Sequence, residues 1–459
     1  DAYLSGKRDL FKGLAIEQLE KEWEEYPILR LDLNSREYKD ESSLEAELNR
    51  HLESWEKIYG AEYRSRATEE RFLHVIENAF EKTGKRVVVL VDEYDKPLLQ
   101  TIDNSYLQDV YRSKLKAFYS VLKTQDAKIR FAFLTGVTKF GKVSVFSDLN
   151  NLVDISFDKR YAEICGITEK ELKGNFDTSV ENLAIINSIT KEESYKKLKE
   201  EYDGYHFSID SDGLYNPFSV LNTLSSKQFS SYWFETGTPS FLVYQLKKTG
   251  YRLENITKES LSSDVLNSID IMDENPLPLL YQSGYLTLKG YDSRFGEYKL
   301  GFPNKEVEQG FIKYLLPYYT PKVQDKSSFA VSRFVQDIEA GDSESFMRRM
   351  DEFFATGDYQ IMGDLEIYFQ NTIYVLFKLI GFYVDVERHT TRGRIDIVMQ
   401  TEQYVYIMEL KVDKSAKEAL AQIEEKEYAD AFKGDSRKVY KIGVNFDSKT
   451  RKIDEWKIV

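Results

Sequence analysis

At 459 residues the chain exceeds what one hydrophobic core supports, so two or three domains are expected. Its 42% hydrophobic and 14% aromatic residues can fill those cores and exclude bulk disorder, while no apolar run reaches membrane-spanning length. A net charge of −14 argues against indiscriminate nucleic-acid binding without excluding a local basic cleft; one cysteine, with no signal peptide, points to a reducing cytoplasm.

In chain order, hydrophobic spacing predicts a helix over 9–23, a strand over 26–32, and helices over 41–58 and 67–83. Arg86-Val-Val-Val-Leu-Val-Asp92-Glu93 is then a continuous β-branched run ending in two acids, the form of a Walker B strand. In that motif Asp92 supports the Mg²⁺ of a bound nucleotide and Glu93 polarises the attacking water. A helix over 106–124 leads to a second apolar strand, Ile129–Leu134, and then to Thr135 where a phosphate sensor belongs. A further strand is expected over 152–157, and the alternation of strand and helix implies a parallel α/β sheet. Gly136-Val-Thr-Lys-Phe-Gly-Lys142-Val143 nearly satisfies a phosphate loop, but Val143 lacks the hydroxyl that ligates Mg²⁺. The segment also follows the acidic strand instead of preceding it, and no helix start follows Lys142 to hold phosphate.

Residues 159–345 read as mostly helical. Asn216-Pro217 and Thr238-Pro239 each place a capping side chain before a proline at the first helical position. The aromatics of Tyr202-Asp-Gly-Tyr-His206 and Tyr232-Trp233 are expected to pack helices together. A helix end and a β-hairpin over 277–301, then helices over 304–316 and 329–357, suggest a winged-helix-like module.

The last stretch predicts a helix over 364–380, strands over 382–390, 394–400 and 404–413, a helix over 415–432, and a strand over 438–446. Along 404–413 apolar residues occupy both parities, as in a strand covered on both faces. Alternation puts Val405, Ile407, Glu409 and Lys411 on one face and Tyr406, Met408 and Leu410 on the other. Asp396 interrupts the neighbouring apolar strand in the same way. Buried charges need a partner or a metal, so two readings stand: a structural Glu–Lys pair, or an Asp/Glu site for Mg²⁺ with a lysine beside the reacting water. Histidines scattered at 51, 74, 206 and 389 argue against a histidine-built metal site or a Ser–His–Asp triad.

Asp396 … Glu409-Leu-Lys411 resembles the D…(D/E)xK signature of the PD-(D/E)XK nuclease superfamily, and the α-β-β-β-α-β order of the flanking elements agrees. The proline of the name is absent, since Ile395 precedes Asp396. The resemblance implies that Asp396, Glu409 and the Leu410 carbonyl hold Mg²⁺, and that Lys411 orients or activates water. It also implies a further acid at Glu366, while Gln422 and Lys426, one helical turn apart, can face the same cleft. Tyr428 stands too far along for the Q-x-x-x-Y spacing of some relatives. Farther upstream, Leu90-Val-Asp-Glu-Tyr-Asp-Lys-Pro97, Leu134-Thr-Gly-Val-Thr-Lys-Phe140 and Phe146-Ser-Asp-Leu-Asn-Asn-Leu152 resemble the bacterial AAA-ATPase-like proteins that carry such a nuclease domain. In that family the phosphate loop precedes a segment like Tyr3–Phe11, so the sequence is expected to start inside a longer protein. ATP binding through Asp92, Glu93 and Thr135 is implied only where that loop is present.

The expected fold is therefore α/β: an incomplete P-loop NTPase (AAA-like) parallel sheet over 1–158, a helical, winged-helix-like lid over 159–345, and a nuclease-like domain over 346–459. The expected function is Mg²⁺-dependent phosphodiester hydrolysis, of DNA in the first place, coupled to the ATPase module. The alternative is an ATP-controlled scaffold whose nuclease fold is inactive. Arg388, Arg392, Arg394, Lys411 and Lys414 are the candidate phosphate contacts, and an oligomeric assembly is compatible with everything above.

Overall fold

The β-branched run that ends in Asp92 forms the middle strand of a parallel sheet. Ile28–Asp32 (β1), Val87–Asp92 (β2) and Ile129–Leu134 (β3) lie in the order β1–β2–β3. Register pairs Asp32 with Asp92 and Val91 with Leu134, which brings the carboxyl ends of all three strands to one edge. The computed structural model describes residues 1–61, 64–138, 146, 149, 151–235, 240–266, 275–319, 327–355, 365–391, 394–425, 432, 434–450 and 452–459. The chain divides into one unit of residues 1–161, 261–286 and 291–298, and another of 162–260, 287–290 and 299–459.

In the first unit, Ala15–Leu19 (α1) precedes the sheet, and Glu41–Tyr59 (α2), Thr68–Thr83 (α3), Lys96–Gln100 (α4) and Ser105–Thr124 (α5) surround its strands. Apolar stripes on α2, α3 and α5 meet through Leu44, Leu48, Trp55, Phe72, Val75, Leu115 and Phe118, all buried. Phe72 and Phe118 stack with centroids 4.4 Å apart. α2 is started by Asp40, whose side chain accepts from Ser42 N in a capping box. Two expectations for this unit need correction. The helix over 9–23 is instead a 3-10 turn at Arg8–Phe11 and the short α1, because Gly13 takes φ +82° between them. The strand over 152–157 does not form: Val153 is exposed, and Ser156 N donates to Asp154 Oδ1 in a turn where a ladder bond was expected.

Onward in the chain come Glu169–Asn187 (α6), Lys191–Tyr202 (α7), Pro217–Ser226 (α8), Tyr232–Glu235 (α9), Ser240–Lys248 (α10), Ser260–Ser262 (β4), Ser263–Leu266 (α11) and Leu277–Gln282 (α12). The hairpin of Thr287–Asp292 (β5) and Glu297–Gly301 (β6) forms as expected, with β4 beside β6. Asn216 caps α8, accepting from Ser219 N with Pro217 at the first turn; Thr238-Pro239 lies outside the described residues. Leu172, Val180, Leu183, Leu198, Tyr202, Tyr215 and Val220 make the core joining α6, α7 and α8. Tyr202 and Tyr215 thus serve as packing aromatics.

The remainder of the second unit contains Lys305–Tyr319 (α13), Ser327–Ala340 (α14), Ser343–Ala355 (α15) and Leu365–Ile380 (α16). The single helix expected over 329–357 is two, broken where Gly341 takes φ +76° and Asp342 caps Ser345 N. α13 packs on α16, with Lys378 Nζ 2.8 Å from Glu308 Oε1. A five-stranded sheet follows in the order β11–β10–β9–β8–β7, from Asp385–Thr391 (β7), Arg394–Gln400 (β8), Tyr404–Val412 (β9), Lys438–Asp447 (β10) and Lys452–Ile458 (β11). β9 and β10 are parallel and their connection contains Ala416–Glu425 (α17); the other neighbours are antiparallel. The last strand, β11, is an addition to the expected elements. No helix among the described residues is long and apolar enough to cross a membrane.

The α2–α3 contact contains a buried bidentate pair. Arg71 Nε and Nη2 lie 2.7 and 2.8 Å from Glu56 Oε1 and Oε2, and both side chains are about 95% buried. Arg71→Leu strands the Glu56 carboxylate and should cost about 3–5 kcal/mol by chemical denaturation, whereas Arg71→Leu with Glu56→Leu should recover most of that loss.

Candidate functional site

β9 is inserted between β8 and β10, which explains its double-sided apolar pattern. Val405 and Ile407 face Ile423 of α17. On the other face the Tyr406 hydroxyl donates to Ile338 O at 2.6 Å, anchoring the strand to α14. Glu409 and Lys411 therefore sit on the α17 face, as alternation required. Glu409 is fully buried, and Lys411 Nζ lies 2.9 Å from its Oε1. The antiparallel register places Asp396 directly across from Glu409 and Arg394 across from Lys411. Positions directly opposite share a face of the sheet, so two acids and a lysine occupy one patch of backbone.

α17 reaches this patch because Gly443, the β10 neighbour of Glu409, has no side chain. A β-carbon there would lie 2.8 Å from Leu420 Cγ and 2.9 Å from Leu420 N. The close approach brings Gln422 Oε1 into hydrogen-bond contact with Lys411 Nζ. Asn445, 3% exposed and in register with Lys411, accepts from Lys414 N at 2.8 Å and donates to Asp454 Oδ2 at 3.3 Å, fixing the turn after β9. Gln422 was a sequence candidate. Gly443 and Asn445 were not, since nothing in a lone glycine or asparagine of a strand reports its neighbour across the sheet.

Glu366 stands in the first turn of α16; its side chain and those of Asp396, Arg388 and Arg394 are outside the described residues, as are Arg392, Lys426 and Tyr428 altogether. Among the described residues no group of three or more His, Cys, Asp or Glu is placed to hold a metal. The donor set around β9 nonetheless suits a hard divalent cation: carboxylate positions at 396 and 409 and the strand carbonyl at Leu410 are all oxygen donors.

At the sheet edge of the first unit, Thr135 Oγ1 donates to Asp92 Oδ1 at 2.8 Å and Arg30 Nη2 lies 3.9 Å from Asp92 Oδ2. Glu93 takes φ +50°, uncommon for a residue with a side chain, and its carboxylate is 3.5 Å from Lys96 Nζ. Sequence reasoning passed over the acid that organises this turn, Asp95. Its carboxylate is buried and accepts from Val137 N at 3.2 Å, Thr138 N at 2.5 Å and Thr138 Oγ1 at 2.6 Å. Burial pushes the Asp95 carboxyl above its usual range, against those hydrogen bonds. The Tyr94 hydroxyl donates to Thr138 O at 2.6 Å, so the turn after β2 clamps the turn after β3. Residues 139–143 of the near phosphate loop lie outside the described residues.

The model of a family described as predicted AAA-ATPase matches residues 1–146, and that of the PD-(D/E)XK nuclease superfamily matches residues 364–456. An uncharacterized protein in the vnfD 5′ region of Azotobacter chroococcum mcd 1 is 32% identical over 462 residues, covering 98% of this chain and 86% of that protein. No solved structure matches.

The clamp between the two turns depends on Gly136, where a β-carbon would lie 2.7 Å from Tyr94 Cε1 and closer still to Asp95 Oδ1. Gly136→Ala should destabilise the first unit by about 1–3 kcal/mol in a denaturant titration.

Proposed function

In a chain that belongs to the AAA-ATPase-like proteins carrying a C-terminal PD-(D/E)XK nuclease superfamily domain, we propose that the β8–β9 patch hydrolyses phosphodiester bonds of nucleic acid, DNA in the first place. The observation that carries this reading is the fully buried Glu409 with Lys411 Nζ at 2.9 Å, opposite Asp396 in register. A purely structural Glu–Lys pair has no use for a second acid position across the ladder.

Asp396, Glu409 and the Leu410 carbonyl would hold Mg²⁺, with Glu366 as a further acid. Bound there, the ion supplies charge stabilisation at the phosphoryl oxygens and lowers the pKa of a water. Lys411 holds the nucleophilic water by hydrogen bonding and offsets negative charge that develops on the phosphate. Gln422 receives one N–H of the Lys411 ammonium, which limits the directions in which the remaining donors point. Arg388, Arg392, Arg394 and Lys414 are the proposed contacts to the nucleic-acid backbone. The divisions at 158/159 and 345/346 remain our proposed domain limits, with the middle segment a winged-helix-like lid.

Asp396→Ala and Lys411→Ala should each lower Mg²⁺-dependent cleavage by at least about a thousand-fold, with stability retained in Asp396→Ala and reduced in Lys411→Ala, which strands the buried Glu409. Glu409→Gln should abolish Mn²⁺ binding by calorimetry, a readout independent of turnover. Wild-type protein that neither binds Mn²⁺ nor cuts DNA or RNA would sink the nuclease reading.

For the ATPase-like unit, we propose that Asp92 and Glu93 act on a Mg²⁺-bound nucleotide, with Thr135 as the phosphate-sensing side chain. Asp32, Asp92 and Glu93 gather three acids at one sheet edge, which repels a polyphosphate unless a phosphate loop and metal intervene. The 459-residue chain should therefore show no Glu93-dependent Mg-ATP binding by calorimetry, and a protein that includes the loop should bind ATP and hydrolyse it in a Glu93-dependent way.

A further inference from the structure

Beside β1 lies a depression of about 680 Å³, open to solvent and lined by Arg36, Lys39 and Arg50, by Glu37, Asp40 and Glu47, and by two serines. It opens between the carboxyl end of β1 and the first turns of α2. In open parallel sheets, that end of the strands is where ligands settle. Its floor is Glu47, 1% exposed. Burial raises the Glu47 carboxyl, but hydrogen bonds from Arg50, Ser35 and Arg36 outweigh it and hold the group at about 2. Glu47 is thus an anion throughout the working pH range, and two arginines share it.

The two arginines are anchored differently from an ordinary ion pair. Arg50 Nε lies 3.1 Å from Glu47 Oε1 and Arg50 Nη2 lies 2.8 Å from Ser35 Oγ. Arg36 reaches Glu47 Oε2 through Nε alone, at 3.3 Å. Ser35 Oγ donates to Glu47 Oε1 at 2.7 Å. Nη1 of Arg50 and both Nη atoms of Arg36 have no protein acceptor among the described residues, although both guanidinium groups are held by their inner edges. Asp40, also on the rim, accepts from Ser42 and Ser43 at 2.6–3.0 Å as the helix cap and keeps its negative charge, and Glu37 is paired with Lys39. Arg36, Lys39 and Arg50 are balanced by Glu37, Asp40 and Glu47, so the lining carries no net charge, and what it offers an oxyanion is directed N–H groups: Nη1 of Arg50 and the Nη edge of Arg36. That is the geometry in which arginine takes a phosphoryl oxyanion.

We propose that this depression is a binding site for a phosphate group, held by Arg36 and Arg50 with Glu47 as their buried anchor and Lys39 at the rim. The phosphate comes from a free nucleotide or polyphosphate, or from a nucleic-acid backbone. Neither source requires the nuclease reading, since the site lies wholly within residues 35–50. Glu47 is a positioning residue: it touches no ligand and sets where the forks point.

The test is calorimetric titration of the 459-residue chain with sodium triphosphate and, separately, with a single-stranded deoxyoligonucleotide, at two salt concentrations. Saturable binding should weaken at least about ten-fold in Arg36→Ala and in Arg50→Ala, with a shallower salt dependence. Arg36→Lys should bind more weakly than wild type, because it keeps the charge and loses the fork. A ligand that is triphosphate alone identifies the nucleotide or polyphosphate source; an oligonucleotide displaced by triphosphate identifies the backbone source. Arg50→Ala leaves Glu47 with one arginine and can lose stability, so its folding is checked by circular dichroism. Arg36→Ala, which gives up a single Nε contact, decides the matter if Arg50→Ala unfolds. The proposal fails if wild type binds neither ligand up to ~10 mM, or if Arg36→Ala binds both as tightly as wild type.

Discussion

A carboxylate with no solvent exposure inside a β-sheet is the constraint around which the second unit is arranged. Burying Glu409 is tolerated because a cation stands two residues away on the same face of the same strand. β9 ends just beyond Lys411, and the antiparallel β8 sets Asp396 across the ladder from Glu409. A helix stands close enough to hold the ammonium, and Gly443 is what lets α17 approach. Removing the side chain at 443 is thus a requirement imposed by the helix and not by the backbone angles of the strand. Tyr406 on the reverse face performs the opposite task, fastening β9 to α14 so that the charged face keeps its place.

The first unit solves a related problem at a sheet edge. Parallel strands bring their carboxyl ends together, and here that gathers Asp32, Asp92 and Thr135. The acids stay apart by being engaged differently: Asp92 by Thr135, Glu93 by Lys96, and Asp95 by the backbone of the next turn. Only Asp95 is withdrawn from water, and its three donors show why that burial is stable. A surface site of this kind can stay open to a ligand, whereas the Asp95 clamp cannot.

Where local pattern misled, a glycine or an unpaired edge is the reason. The apolar spacing of 9–23 and of 329–357 is helical, but Gly13 and Gly341 take positive φ and split each run. At 152–157 the spacing suits a strand, and among the described residues no neighbouring strand pairs with it; Asp154 turns the chain instead. β11 went unpredicted because Lys452–Ile458 alternates charge with apolar residues weakly, and its stability comes from pairing with β10.

Period and terminal chemistry were enough to mark the strands 86–93, 129–134, 394–400 and 404–413, and to raise Asp92, Glu93, Asp396, Glu409 and Lys411 as candidates. These are local properties: a buried strand needs apolar residues at both parities, and a charge that breaks such a run announces itself. Tertiary structure alone decided that position 396 stands across the ladder from 409, that Gln422 touches Lys411, that Asp95 clamps the turn carrying Thr135, and that Glu47 gathers two arginines. Each of those depends on register or on the distance between elements far apart in the chain. Spacing along one strand cannot encode which residue stands across from it, because a shift of one position preserves every local preference and reverses every partner.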